Sequence, residues 1–129
     1  MNFAQNFANF AVFNSIPHTM SSNEFEKSKV FSFNGSIDYA DGGIVSKTVL
    51  KKQTGNISLF SFAKGEALSE HTAPFDALIQ VVDGSGEIII GGESFILQSG
   101  DSIIMPANIA HAVKAVENFK MVLTMIRST

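Results

Sequence analysis

Apolar and polar positions alternate along most of the chain in short runs, and each run is cut by glycine, asparagine, aspartate or proline. That period of two predicts half-buried β-strands joined by tight turns. Val30-Phe31-Ser32-Phe33 reads as an edge strand stopping at Asn34-Gly35, and Asp38 to Gly43 as a loop. Ile44 to Leu50 reads as a strand, followed by the polar turn Lys51 to Gly55, whose lysines keep a strand end soluble. Asn56 to Ala63 is different, because Ile57 and Leu59 make one face apolar while Phe60 and Phe62 do the same for the other. The last run repeats this, with Phe119, Met121, Leu123 and Met125 alternating with Lys120, Val122, Thr124 and Ile126. A barrel strand needs only its inward face apolar, so both runs predict a cover, either a helix or a second copy of the chain. A face-to-face homodimer is the leading expectation.

The middle of the chain is the most regular part. Ala77 to Val82 ends at Asp83-Gly84-Ser85-Gly86, and Glu87 to Ile90 ends at Gly91-Gly92. Ser94 to Leu97 ends at Gln98-Ser99-Gly100-Asp101, and Ser102 to Met105 stops at Pro106. Four short strands with turns this frequent predict successive antiparallel hairpins and an all-β barrel or sandwich. After Pro106 the chain delivers His111 onto the strand Ala112 to Val116, where His111 and Val113 share a face.

The first 22 residues read differently. Phe3, Phe7 and Phe10 recur at helical spacing among Asn, Gln and Ala, which fits a short amphipathic helix. Asparagine-rich stretches are poor helix formers, so a poorly ordered tail fits equally well. His18 beside Pro17 is most simply a surface residue. Ser21 to Lys27 sets capping residues ahead of acidic ones and allows a brief helical turn. The chain therefore divides into an N-terminal extension, 1–22, and a β-barrel domain, 23–129.

At 129 residues there is room for one domain, and 45% apolar residues with 12 phenylalanines support a packed core. A net charge of -3 with dispersed basic residues argues against a nucleic-acid partner. The absence of cysteine excludes disulfides, thiolate catalysis and cysteine metal sites. No charged start with a continuous apolar run marks a signal peptide, and no run reaches membrane-span length. These features place the expected protein in the cytoplasm, without a membrane partner.

The candidate chemistry lies in two blocks that each end on a histidine. In the first, Gly65 is followed after five residues by His71, and Gly84 closes the block. In the second, Gly100 is followed after five residues by Pro106, with Asn108 and then His111. Over about residues 44 to 126 this spacing resembles that of the cupin family, small β-barrels whose two motifs face each other across the lumen. The resemblance implies an all-β, single cupin barrel of the double-stranded β-helix or jelly-roll type. Members that bind a divalent metal use two histidines and a glutamate from the first motif and one histidine from the second. Here Ala73 stands at the second histidine position and Ala77 at the glutamate position, while Asn108 replaces a glycine and still tolerates a left-handed turn.

The resemblance thus implies a ligand pocket at His71, Ala73, Asp76, Ala77, His111 and Val113, with His71 and His111 as the surviving metal ligands for one divalent Zn, Fe, Mn or Ni ion. Two imidazoles leave most of a coordination shell to water or substrate. Asp76 is the nearest candidate to complete the set, although strand alternation turns it away from Ala77's face, and as a residue after Pro74 it also reads as a plain rim residue. His71 likewise reads as a barrel-mouth histidine that only hydrogen-bonds to its neighbours. Three functions follow. The first is a module that binds a small molecule in a mostly apolar lumen, with the histidines as polar handles. The second is a metal-dependent oxygenase or isomerase with a reduced ligand set. The third is metal-free acid/base catalysis by one neutral and one charged imidazole.

Overall fold

The computed structural model describes residues 24–127. The expectations for the first 22 residues, the amphipathic helix or tail and His18, lie outside these described residues. Among them are nine strands: β1 (Ile44–Lys52), β2 (Gly55–Phe62), β3 (Ala67–His71), β4 (Asp76–Asp83), β5 (Ser85–Ile90), β6 (Glu93–Gln98), β7 (Ser102–Met105), β8 (His111–Ala115) and β9 (Phe119–Ile126). They form a five-stranded sheet in the order β1-β2-β9-β4-β7 and a four-stranded sheet in the order β3-β8-β5-β6. Every pairing is antiparallel, so the molecule is an all-β jelly roll. Among the described residues no helix is long and apolar enough to cross a membrane.

Two expectations are corrected. The four central strands are not successive hairpins, because only β5 and β6 pair with each other, while β4 pairs with β7 and β9. The turn after β4 instead carries the chain from one sheet to the other. Gly84 makes that crossing at φ 73°, and a Cβ there would sit 1.9 Å from the Asn118 carbonyl oxygen of the crossing between β8 and β9. Two crossovers therefore meet at one corner that only glycine fits. The second correction concerns Val30 to Phe33, which form no strand; Val30 is 98% exposed and Asn34–Ser36 is a turn of 3-10 helix. Of the apolar side chains in this run only Phe33 packs on a sheet face, while Val30 and Phe31 stay exposed. Phe31 stacks edge-on against both Phe25 and Phe33, at 4.8 and 5.2 Å between ring centroids.

That docking supplies the cover that the two-faced strands require. Leu59 of β2 and Val122 of β9 are buried on the outer face of the larger sheet together with Val49 and Ile37, and Phe25 and Phe33 pack against them. This patch is closed by the chain's own segment. Lys120, also on that face, is 7% exposed and donates to the Asn34 carbonyl oxygen at 2.7 Å and to its Oδ1 at 2.9 Å. Its ammonium lies 4.9 Å from the centre of the Tyr39 ring, a cation–π contact. The Tyr39 hydroxyl donates to Asp83, and burial together with that carboxylate pushes the phenol up.

Between the sheets, strand alternation puts Phe60 and Phe62 of β2 in the main core with Leu68, Ile79, Val81, Ile88, Val113, Phe119, Met121 and Leu123. The same parity turns Asn56 and Ser58 inward at the other end of β2, where both are buried. The interior thus has an aromatic end and a more polar one.

Candidate functional site

The polar end is where the two motif histidines meet. His71 closes β3 and His111 opens β8, and the two are direct cross-strand partners in the smaller sheet. A register shift between Leu68 and His71 inserts an extra residue into β3. Without it, period-two alternation would turn His71 away from the core face that Leu68 occupies. His111 keeps the inward parity of Val113 and Ala115. Asn108, in the turn before β8, adopts φ 65°, the left-handed geometry expected at that position.

The two rings stand edge to face, 4.3 Å between centroids at an interplanar angle of 71°. Their Nε2 atoms are 3.1 Å apart. Each Nδ1 lies against a backbone carbonyl two residues earlier, Ser69 at 2.9 Å for His71 and Ile109 at 3.1 Å for His111. A carbonyl oxygen only accepts, so each Nδ1 carries the proton and donates it. In the neutral state both Nε2 atoms then present lone pairs. Two lone pairs at this distance repel unless a proton or an incoming donor stands between them. His111 is 4% exposed while His71 is half-buried. Burial, and then the neighbouring His71, lower the His111 pKa, with the Ile109 carbonyl a smaller opposing influence.

Beneath the rings is a small cavity of about 10 Å³ lined by His71, Ala73, Phe75, Ala77, Met105, His111, Leu123 and Met125. That is close to the space one water molecule needs. His71, Ala73, Ala77 and His111 of the predicted pocket come together here. Asp76 and Val113 do not. Asp76 is exposed, and its Oδ1 accepts from the Ala107 N–H at 2.8 Å; Val113 is fully buried deeper in the core. Phe75, Met105, Leu123 and Met125 were not anticipated, although the alternation of β9 already set Leu123 and Met125 on one face. Their bulk lines the space beside the two alanine methyl groups.

The donor set does not fit a resident mononuclear metal. Such a site takes three or four protein ligands. Among the described residues no three His, Cys, Asp or Glu side chains converge, and Asp76, the carboxylate expected to complete the set, accepts from the Ala107 N–H instead.

The comparisons with known proteins agree with this architecture. The family profile described as "Cupin domain" matches residues 58–127. A crystal structure of a conserved protein of unknown function from Streptococcus pyogenes shares 33% identity, covering 87% of this chain and 99% of that one, with a TM-score of 0.79. A cupin 2 conserved barrel domain protein from Leptotrichia buccalis shares 43% identity over 75% of this chain and 47% of its own, with a TM-score of 0.73. A cupin superfamily protein from Desulfitobacterium hafniense, 24% identical over 84% of this chain and 100% of its own, shares the fold at a TM-score of 0.76. No curated protein matches the chain.

Proposed function

The chain belongs to the cupin domain family, and on that premise we propose that it binds a small organic molecule at the mouth of its barrel, with His71 and His111 as the polar handles. The observation that carries this reading is the pair of Nε2 atoms, 3.1 Å apart, above an apolar floor. Two fixed acceptors side by side suit a ligand that brings a hydroxyl or N–H donor to that point. The carbonyls of Ser69 and Ile109 lock the rings in the orientation that such a donor meets. The remainder of the ligand rests on Phe75, Met105 and Met125. Methionine has an unbranched, adaptable side chain, so the small cavity widens by rotamer changes rather than backbone movement. Few precisely placed polar groups over an apolar lining is the usual composition of a small-molecule site.

Native mass spectrometry of the chain, purified without chelator, tests the reading. The expected result is an organic adduct released by denaturation, retained by the wild-type chain and lost from both His71→Ala and His111→Ala. A stoichiometric metal ion in the wild-type protein, absent from both variants, with no organic adduct, would overturn it in favour of a metal-dependent enzyme.

A further inference from the structure

We propose that Asn56 is a second binding residue of the lumen and receives the amide group of a bound small molecule. The inference rests on the reading of the barrel mouth as a small-molecule site, and it names the chemical class of that molecule.

Asn56 is 4% exposed, yet among the described residues neither its Oδ1 nor its Nδ2 has a hydrogen-bond partner. Buried polar side chains are paired in the large majority of cases, so a carboxamide bare at both atoms points to a partner that comes and goes. Its position tells where such a partner would lie. Asn56 shares its face of β2 with Phe60 and Phe62, which are core residues between the sheets. Across the larger sheet Asn56 pairs with Met125, Met125 with Ala77, and Ala77 with Met105. These last three line the cavity beneath the histidines. Asn56 is thus the next inward position along the row that floors the pocket, with Met125 on the strand between. Rotation of the Met125 side chain joins the two.

A carboxamide offers one acceptor and one donor group in a plane, and its natural complement is another amide bound by two parallel N–H···O bonds. The ligand class is therefore a small primary amide or lactam with an apolar body, its far end reaching the imidazole pair.

Pentanamide and 2-hexanone, which differ by an NH₂ in place of a CH₃, test this with the full chain. Titrations are followed by the ¹³C-methyl signals of Met105 and Met125. Pentanamide is expected to shift Met125 and to bind about tenfold more tightly than 2-hexanone, the ratio worth one added hydrogen-bonded pair. In Asn56→Leu and in the milder Asn56→Ser the two affinities should fall within about twofold of each other. A through-space contact between the pentanamide N–H protons and the Met125 methyl group reads the same geometry in the wild-type chain. Equal binding of both probes by the wild-type protein, or a preference that survives both substitutions, would overturn the role of Asn56 and leave the lumen site standing. If neither probe moves Met105 or Met125, the lumen reading falls with it.

Discussion

The two ends of the barrel interior are built on opposite principles. At one, Phe62 and Phe119 stack at 4.8 Å with an interplanar angle of 15°, and Phe60 lies 6.0 Å from Phe62. All three rings are 2% exposed or less. Gly86 presses so closely that a Cβ there would come within 2.6 Å of the Phe119 ring. At the other end, six residues along β2 and roughly 20 Å away at strand rise, stand two facing imidazoles, two flexible thioethers and an amide that finds no partner among the described residues. The first end has one packing and resists change. The second holds a buried carboxamide with no partner among the described residues, which costs stability. A small barrel sustains such a site only because the rest of its core is tightly packed, and the contrast locates function at the end where local packing rules are relaxed.

The contrast can be broken most forcefully at the aromatic end. Phe119→Ala should cost about 3–5 kcal/mol, read as a shift in the urea midpoint at unchanged slope. A loss as small as that of a surface substitution would show that the stacked pair does not anchor the fold. Gly86→Ala should cost about 1–3 kcal/mol by overpacking against the same ring, and its Phe119 ring resonances should move. At the open end, Met125→Leu is nearly volume-conserving and should cost less than about 1.5 kcal/mol. If Met125 instead proves as intolerant as Phe119, the open end is as rigid as the closed one and the comparison fails.

The smallest expected effect is a slope with pH. Burial and His71 hold the His111 pKa below its ordinary value of 6.5, so near and below that pH the unfolded chain binds more protons than the folded one. Stability is then complete above about pH 6.5 and declines as the solution is acidified towards the folded-state pKa. Subtracting the urea-midpoint profile of His111→Phe from that of the wild type isolates this contribution. A difference curve that rises on acidification would mean that the folded protein favours the charged ring.

Much of this was legible in the linear pattern. Ser102–Met105 and Phe119–Ile126 have the bounds that their alternation predicts, and the motif spacing brought out both histidines, a turn at Gly84 and the left-handed Asn108. The outward position of Asp76 followed from period two as well. Val30 to Phe33 misled because a short alternating run can lie over a finished sheet with a single side chain, Phe33, packed on it and the rest exposed. Asn56 carried a readable signal, a polar residue on the inward parity of a strand, but parity alone does not say whether an amide finds a partner.

From the order of residues alone came the strand content, the glycine turns, the all-β class and the two imidazoles as candidate handles, because these depend on neighbours close in the chain. Tertiary structure alone decided that β4 pairs with β9 rather than with the strand that follows it, that residues 25–37 cover the outer face, and that two ring nitrogens meet at 3.1 Å above a methionine floor. Each of those outcomes depends on which distant strands share a ladder. A period of two assigns every side chain to a face, and only long-range pairing determines what that face meets.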